Sequence, residues 1–325
     1  MISRCSNSLQ IFFSFSQETI TSLSTSRSPQ TLYAPINHIL SSKGKQIRSV
    51  FTLVTYDMFG GNYVDLKPLI LAIEGLHNFS LIHDDVMDNA IMRRGVETIN
   101  TKWSNNQAIL SGDVLLIQSY QKLISSSIVS SIILKKFTET AIRICEGQQL
   151  DIDFQGRDNV SEEEYLNMIE LKTGVLINFS LVAPSLLTDS GQININTINS
   201  IGKILGVLFQ VQDDFLDLYG KSLTTGKSIG GDIVERKKTF LYVTAYKKAS
   251  LAQKTDLIRI YNSDVANKIE LVRDLYNELG VQKTVEDYIE ARRQDLNILI
   301  NNITVQDEKK SSFKELIKLL LNRNF

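Results

Sequence analysis

Apolar residues recur at three- and four-residue spacing along almost the whole of this 325-residue chain. That period belongs to amphipathic helices, and alternating strand-like stretches bounded by turn residues are scarce. The connections are short and polar, and none has the composition of a linker. We therefore predict an all-α fold, a single large helical bundle around a central cavity, with residues 1–325 forming one domain. The pattern is clearest in segments 66–88, 106–125, 132–154, 161–187, 195–219, 240–249, 266–279 and 312–321.

The composition limits the possible partners and the location. A net charge of −1 provides no electrostatic footprint for nucleic acid. Cys5 and Cys145 have no metal-binding spacing, which is typical of reduced thiols in a cytosolic protein. No run reaches the 18 or more apolar residues that a membrane span needs, and Met1 to Ile20 lacks the features of a signal peptide. We predict that this first segment is a helix, that the protein has no membrane span and that it is cytoplasmic.

One acidic pentapeptide occurs twice, as Asp84-Asp85-Val86-Met87-Asp88 and Asp213-Asp214-Phe215-Leu216-Asp217. Both copies end an apolar run of the kind found in buried elements, where uncompensated carboxylates are costly. The two surrounding patterns lie 129 residues apart. Divalent cations would neutralise these acids, and two acid-bearing helices facing each other across a cavity would explain the repeat.

Helix geometry separates the acids into two groups. Residues four apart lie about 40° from each other around the axis, so Asp84 projects with Asp88, and Asp213 with Asp217. Asp85 and Asp214 are turned about 100° away and are weaker candidates as ligands. One or two carboxylates per ion suit Mg²⁺, which takes other ligands from water and phosphate oxygens. Two such patches could clamp a diphosphate, whereas the alternative for each is a solvated acidic helix end or an N-cap.

Several cations complement these acids. Lys45 and Arg48 lie three residues apart, and Arg93-Arg94-Gly95 follows the first acidic motif by five residues. Lys172 interrupts an apolar helix, where a lone cation is expensive. Each could be an ordinary surface residue, but together they describe a cavity that binds polyanions. His77 lies two turns before Asp84 and faces the same way, although such a histidine is usually a core residue. Lys227 and Lys237 bracket a glycine-containing loop.

In order and spacing, these motifs resemble the trans-polyprenyl diphosphate synthase family, whose members have the all-α isoprenoid synthase fold. The acidic pentapeptides resemble its two aspartate-rich motifs, and 44–48 its Gly-Lys-x-x-Arg segment. Arg93-Arg94-Gly95 resembles the paired arginines of the family. Three further signatures are Glu146-Gly147-Gln148, Lys172-Thr173-Gly174 and the segment from Lys227 to Lys237.

The resemblance implies that the chain condenses isopentenyl diphosphate with an allylic diphosphate (dimethylallyl, geranyl or farnesyl). It also implies two to three Mg²⁺ ions per site and a homodimer. Isopentenyl diphosphate would be held by Lys45, Arg48, His77 and Arg94. The allylic diphosphate would be held through Mg²⁺ by Asp84, Asp88 and Asp213, and directly by Arg93, Lys172, Gln210, Lys227 and Lys237. Thr173, also counted as substrate-binding, would help to place the reacting allyl group. The catalytic set implied is Asp84, Asp85, Asp88, Arg93, Lys172, Thr173, Asp213 and Lys227.

Product length and two departures from the family pattern complete these expectations. Lys43 replaces the usual first glycine, and Ser49 stands where proline usually follows the arginine. Phe79 would lie roughly 7.5 Å below the metals and Ser80 is too small to block the chain. An aromatic residue at only one of these two positions resembles twenty-carbon synthases. We therefore expect geranylgeranyl diphosphate as the main product and farnesyl diphosphate as the next. Longer products are expected if the floor of the product cavity, below Leu76, opens.

Two other functions are compatible with parts of this pattern. A terpene cyclase shares the fold and the first acidic motif but needs no second diphosphate site, against which Lys45, Arg48 and Arg94 argue. A non-catalytic partner subunit tends to lose motif acids, and this sequence keeps all six.

Overall fold

The structure, a computed structural model, describes residues 5–24, 26–42, 44–220 and 229–321. These residues are predominantly helical with almost no strand, which confirms the predicted all-α fold. The helices are α1 (Asn7–Thr21), α2 (Gln30–Ser41), α3 (Ile47–Met58), α4 (Lys67–Met87), α5 (Ile99–Lys102), α6 (Asn105–Ile124), α7 (Ser131–Gln155), α8 (Glu162–Ile169), α9 (Val175–Leu186), α10 (Gln192–Tyr219), α11 (Gly231–Val234), α12 (Phe240–Lys248), α13 (Leu251–Tyr261), α14 (Lys268–Glu278), α15 (Val281–Asn301) and α16 (Ser311–Leu321).

Three other kinds of element interrupt this helical pattern. Short 3₁₀ helices cover Tyr63–Leu66 and Asp307–Lys310, and a π-helical turn, Glu170–Gly174, joins α8 to α9. Strands β1 (Met92–Arg93) and β2 (Val96–Glu97) pair antiparallel, with Met92 opposite Glu97. The sequence pattern did not predict this hairpin, because a strand of two residues is too short to show alternation.

The chain divides into two compact units. The first unit contains residues 1–142, 179–199 and 304–317, and the second unit contains residues 143–178, 200–303 and 318–325. The prediction of one domain over 1–325 stays a prediction.

In the first unit, α4 is the central helix. Its residues Leu69, Ile70, Ala72, Ile73 and Leu76 are fully buried, because the helix is apolar on nearly every side. It packs most extensively on α6 and also contacts α1 and α3. The helix begins with a proline in its first turn, where the missing N–H costs nothing, and it ends at the first acidic motif. A buried, well-packed helix therefore fixes the position of that motif.

In the second unit, helices α8 and α12 to α15 pack around three fully buried tyrosines, Tyr242, Tyr261 and Tyr276. Helix α8 begins with a reciprocal capping box between Ser161 and Glu164, which satisfies two backbone N–H groups. Among the described residues, the helical run Glu162–Leu186 is long and apolar enough to cross a membrane. However, 61% of its most apolar window is buried inside the protein.

Candidate active site

The first acidic motif lies at the C-terminal end of α4. Asp84 and Asp88 are partly exposed, whereas Asp85 is only 2% exposed. The N–H of Asp88 donates to the carbonyl of Asp84 at 2.8 Å, which keeps the end of the helix regular. The helix therefore presents Asp84 and Asp88 on one side and turns Asp85 towards the interior, as helical spacing predicts.

Arg93 neutralises the two neighbouring acids of this motif. Its Nε lies 2.6 Å from Oδ1 of Asp85, and its Nη2 lies 3.4 Å from Oδ2 of Asp84. Burial raises the pKa of Asp85 to about 6, although the nearby Arg93 guanidinium opposes that rise. Arg93 thus belongs to the same cluster as the acids, and its shorter ion pair is with Asp85, which the sequence predicted as a site residue.

The β1–β2 hairpin positions Arg93 and Arg94. Its two turn residues, Arg94 and Gly95, both have positive φ angles, of 52° and 79°. Two-residue hairpin loops of this kind match the twist of the flanking strands, but they strain any residue except glycine, asparagine or aspartate. The hydroxyl of Thr98 donates to the carbonyl of Ala90 at 2.6 Å and closes the loop. The packed loop therefore holds Arg94 in a strained conformation at the tip.

A second cluster, the guanidinium–imidazole cluster, consists of Arg48, His77 and Arg94. Nη1 of Arg48 lies 3.2 Å from Nε2 of His77, and Nη2 of Arg94 lies 3.4 Å from the same atom. Guanidinium nitrogens can only donate, so Nε2 accepts and the imidazole is neutral. Burial, and then the charges of Arg48, Arg94 and Arg93, hold the pKa of His77 well below its usual range. Two cations held close together in this way form a site for an anion.

Gly44 and Ser49, which flank this cluster in sequence, have separate structural roles. A Cβ on Gly44 would lie 2.8 Å from Nη1 of Arg94, so any other residue would shift that guanidinium. The fully buried hydroxyl of Ser49 donates to the buried carboxylate of Glu74 on α4 at 2.5 Å. Serine in the family's proline position therefore gives a buried acid a partner. Lys45 is exposed just before α3, and Lys43 lies outside the described residues.

The residues assigned to product length lie one to two turns below Asp84 on α4. Leu76 is fully buried and Phe79 is 8% exposed, with its ring centroid 4.6 Å from that of His83. Ser80 is partly exposed, and its hydroxyl donates to the carbonyl of His77 at 2.8 Å.

In the second unit, Lys172 lies on the π-helical turn. Its Nζ lies 2.6 Å from Oδ2 of Asp151 on α7, so this cation in an apolar helix has a carboxylate partner. A Cβ on Gly147 of α7 would lie 2.2 Å from the backbone nitrogen of Lys172. The glycine of the Glu146-Gly147-Gln148 signature therefore lets α7 approach the turn closely, and π-helical turns frequently mark functional sites.

A hydrogen-bonded chain links Thr173 to the second acidic motif. The hydroxyl of Thr173 donates to Oε1 of Gln210 at 3.1 Å, and Nε2 of Gln210 donates to Oδ1 of Asp214 at 3.0 Å. Asp214 also accepts from the hydroxyl of Tyr165 and from the backbone N–H of Phe240. Burial raises the pKa of Asp214, although these donors favour its charged form. The middle acid of this motif is therefore an internal acceptor, as its helical position predicts.

The outer acids of the second motif, Asp213 and Asp217, are partly exposed on α10. Oδ2 of Asp217 accepts from the N–H of Asp232 at 3.1 Å, which ties the glycine-containing loop to the motif. Nζ of Lys237 lies 2.8 Å from Oε2 of Glu235. Lys227 lies outside the described residues.

The donor set fits Mg²⁺. Among the described residues, no three histidine, cysteine, aspartate or glutamate side chains form a preformed metal cage. Mg²⁺ is commonly bound by one or two carboxylates, with water and phosphate oxygens completing its octahedral shell. Asp84 and Asp88 provide two hard oxygen donors on one side of α4, and Asp213 provides another on α10.

The amide nitrogen of Gln148 is buried and has no hydrogen-bond partner in the part of the chain that the structure describes.

Sequence reasoning missed Asp151, Tyr165 and Glu74. All three are buried or partly buried polar groups that orient predicted site residues rather than match a motif themselves. The available signal for Asp151 was its position four residues after Gly147, which places both on the same side of α7. Tyr165 and Glu74 carried no comparable signal, because their partners are far away in sequence.

The structure thus combines an all-α fold with two aspartate-rich helix ends that are accompanied by basic side chains. The chain belongs to the polyprenyl synthetase family, whose model matches residues 29–279. It is 34% identical over 285 residues to a geranylgeranyl pyrophosphate synthase of Geoglobus acetivorans, covering 87% of this chain and 89% of that protein.

Other relatives agree with this assignment. The chain is 32% identical over 305 residues to a geranylfarnesyl diphosphate synthase of Aeropyrum pernix, with 90% and 93% of the two chains covered. A crystal structure of a geranylgeranyl pyrophosphate synthase superposes with a TM-score of 0.91 at 35% identity, covering 98% of this chain and 100% of the other. The predicted family and enzyme class, a prenyl-transferring synthase, are thereby confirmed.

Proposed function

We propose that this protein is a trans-prenyltransferase that condenses isopentenyl diphosphate with an allylic diphosphate and makes mainly geranylgeranyl diphosphate. The observation that carries the proposal is the guanidinium–imidazole cluster, in which a neutral His77 holds Arg48 and Arg94 together. The names of the relatives support the same reaction, since they include geranylgeranyl and geranylfarnesyl synthases. Dimethylallyl, geranyl and farnesyl diphosphates are the candidate primers.

The guanidinium–imidazole cluster is the proposed site for isopentenyl diphosphate. Two guanidinium groups can each offer paired N–H donors to phosphate oxygens, a geometry that gives strong, directed contacts. Lys45, exposed just ahead of α3, would add a mobile ammonium to the same ligand. His77 would orient the guanidinium groups rather than contribute charge, because its Nε2 accepts from both.

The two acidic motifs and the remaining cations are the proposed site for the allylic diphosphate. Asp84, Asp88 and Asp213 would hold two to three Mg²⁺ ions, which neutralise charge on the departing diphosphate. The cations proposed to contact that diphosphate directly are Arg93, Lys172, Lys227 and Lys237. Thr173 would place the reacting allyl group, and Gln210 would hold Thr173 through the hydrogen bond between them.

The proposed reaction breaks the carbon–oxygen bond of the allylic diphosphate and leaves an allylic carbocation. The double bond of isopentenyl diphosphate attacks this carbon, and loss of one proton gives a product five carbons longer. Lys172 and Arg93 would balance the negative charge that develops on the leaving group. Each of these cations is paired with an acid, Asp85 or Asp151, and the pairing fixes the position of its charge.

The proposed product length depends on Phe79, Ser80 and Leu76. The chain would grow alongside α4 from Asp84 towards the N-terminal end of the helix. Ser80 leaves space, whereas Phe79 would close the path roughly 7.5 Å, about one and a half helical turns, below the metals. Geranylgeranyl diphosphate is the expected main product, followed by farnesyl diphosphate. Longer chains would require the floor below Leu76 to open.

We further propose a homodimer in the cytoplasm, with no nucleic-acid partner. Helix α6 exposes Leu110, Ile117 and Ile124 by 57%, 67% and 69%, at intervals of seven residues, which is one apolar stripe on a helix. Large exposed apolar stripes mark protein–protein contacts. A second copy of the chain presents the same stripe and would cover it by two-fold pairing. Cys5 and Cys145 are not joined by a disulfide, in keeping with a reducing compartment.

Product sizing tests the reaction. Purified protein is incubated with Mg²⁺, labelled isopentenyl diphosphate and each allylic primer in turn, and the products are separated by chain length. We expect label in prenyl diphosphates, mainly of twenty carbons. A terpene cyclase would consume an allylic diphosphate without incorporating the label, and a non-catalytic subunit would consume neither substrate. Either result would overturn the proposal.

A further inference from the structure

We infer that His83 is a positioning residue for product length: its imidazole, locked against α6 beside Gly112, holds the ring of Phe79 in place. This inference rests on the proposed function and extends it to residues that no aspartate-rich or basic motif contains. All of these residues belong to the first unit. None of them is proposed to contact a metal ion or a diphosphate. His83 directly precedes Asp84 in sequence.

The imidazole of His83 is tied to α6 by its Nε2 atom. This atom lies 3.1 Å from the backbone carbonyl oxygen of Ile109 and 3.7 Å from Oδ1 of Asp113. A carbonyl oxygen can only accept, so Nε2 carries a hydrogen and donates to it. The side chain is 20% exposed, so the ring is largely enclosed between the two helices. A side chain from the end of α4 is thus fixed by the backbone of a neighbouring helix.

Gly112 makes this arrangement possible. A Cβ at this position would lie 2.4 Å from Nε2 and 2.5 Å from Cδ2 of His83. Both distances are far shorter than any van der Waals contact, so a methyl group would displace the imidazole from its place. A second close approach lies two turns away on α4, where a Cβ on Gly75 would meet Oγ of Ser119 at 2.1 Å. The two helices are therefore closely packed on both sides of Phe79.

The locked imidazole restricts Phe79. The two rings lie four residues apart on α4, with their centroids separated by 4.6 Å and their planes inclined by 59°. Residues four apart on a helix are neighbours, and aromatic pairs of this geometry favour one another beyond their burial. While the imidazole is in place, the ring of Phe79 cannot move into the space that His83 fills. The floor proposed for the growing chain is thus held from behind by His83.

Three variants test this inference by product sizing: His83→Ala, Gly112→Ala and the double variant. Each single variant should raise the ratio of longer products to the main wild-type product, because Phe79 gains space or loses its neighbour. Loss of an aromatic pair corresponds to a change of roughly 2- to 12-fold in such a ratio. The double variant should match His83→Ala alone, because the added methyl then has no imidazole to displace.

His38→Ala is the matched control, since His38 is another partly exposed histidine of the first unit that bonds a backbone carbonyl, that of Glu97 at 2.8 Å. Its product length should equal that of the wild type. Melting temperatures of all variants separate loss of folding from a change of length. Unchanged length in His83→Ala or Gly112→Ala, or an additive double variant, overturns the inference while the synthase proposal stands. A wild type that makes no prenyl diphosphate overturns both.

Discussion

The imidazole of His77 lies between two guanidinium groups, and only its neutral form can accept a hydrogen bond from both. His77 therefore holds the two guanidinium groups near each other, and it can do so only while its imidazole is neutral. Asp85 and Asp214 differ from His77 because their charged forms make the hydrogen bonds. Each is a buried acid whose carboxylate accepts from internal donors. At the scale of single residues, the proposed site depends on protonation states that the surrounding protein fixes.

The first prediction concerns the pH dependence of stability through His77. Its pKa in the folded protein lies well below the ordinary value of 6.5. Between those two values the unfolded chain binds a proton that the folded protein does not, so stability falls as the pH drops below 6.5. The loss should grow as the pH falls from 7 to 5, until the pH reaches the pKa of His77 in the folded protein. Urea unfolding of wild type and His77→Gln at pH 5 and pH 7 checks this, and identical pH slopes would contradict it.

The second prediction concerns the outer acids of the first motif. Asp84→Ala or Asp88→Ala should lower turnover by roughly 10²- to 10³-fold, the usual effect of removing one group that stabilises developing charge. The helical fold should persist, because each change relieves a crowded acidic site. Excess chelator should likewise abolish activity of the wild type. Asp287→Ala, at an acid whose side chain is 63% exposed on α15, is the control. Full activity of Asp84→Ala would refute the metal assignment.

At the scale of secondary-structure elements, the site depends on close approaches that only glycine allows. The π-helical turn that carries Lys172 and Thr173 contacts α7 at Gly147 and α10 at Gly206. A Cβ on Gly206 would lie 2.4 Å from Cα of Gly174. These glycines lie within helices, where they weaken the helix by about 1 kcal/mol each relative to alanine. The close packing of backbone on backbone offsets that cost and fixes the register of the turn.

The third prediction follows from this packing. Gly147→Ala should destabilise the protein by about 1–3 kcal/mol, because the added methyl meets backbone atoms that cannot move aside. It should also raise the KM for the allylic substrate while leaving the KM for isopentenyl diphosphate unchanged. Thermal unfolding and steady-state kinetics check both effects. Gly156→Ala is the matched control, since a Cβ there meets no atom closer than 3.9 Å. Equal stability of the two variants would be the contrary result.

How well each helix could be predicted depends on how clearly its apolar residues recur at helical spacing. Helices such as α4 and α6 were predicted to within one residue at each end, because their apolar periodicity runs over five or six turns. Helix α15 was missed, since its buried stripe of Val285, Ile289 and Leu296 is narrow and its other positions are mostly polar or charged. The π-helical turn could not be predicted from the sequence, because α9 is apolar on nearly every side and a shift of one residue in its pattern leaves no polar face to reveal the extra residue.

At the scale of the whole molecule, each unit supplies part of the chemistry proposed for one reaction. The first unit contains the guanidinium–imidazole cluster, the first acidic motif and the residues assigned to product length. The second unit contains Lys172, Thr173 and the second acidic motif. The ordered set of motifs predicted the family, but it could not predict which polar groups, such as Asp151 and Glu74, hold those motifs in position.

The fourth prediction concerns assembly. Ile117 lies in the middle of the exposed stripe of α6, so Ile117→Glu should convert the proposed homodimer into a monomer of about 36.7 kDa. A charge at the centre of an apolar interface leaves an unpaired carboxylate that is costly to bury. Light scattering after size-exclusion chromatography gives the mass. Ile298→Glu, at a position 61% exposed on α15, should leave the mass unchanged. A wild type that is itself monomeric would refute the proposed dimer.

The π-helical turn at Glu170–Gly174 also has a consequence for how this chain can tolerate changes in length. A π-helical turn contains one residue more than the α-helical turn that it replaces. Removal of a single residue from this turn could therefore restore an unbroken α-helix from α8 into α9. The shorter chain would keep its helical content and the orientation of α9 relative to α8, because the π turn accommodates its extra residue within about one full turn. Folding and activity would thus separate at this position, because the deletion would redirect Lys172 and Thr173 within the turn and leave the flanking helices in place.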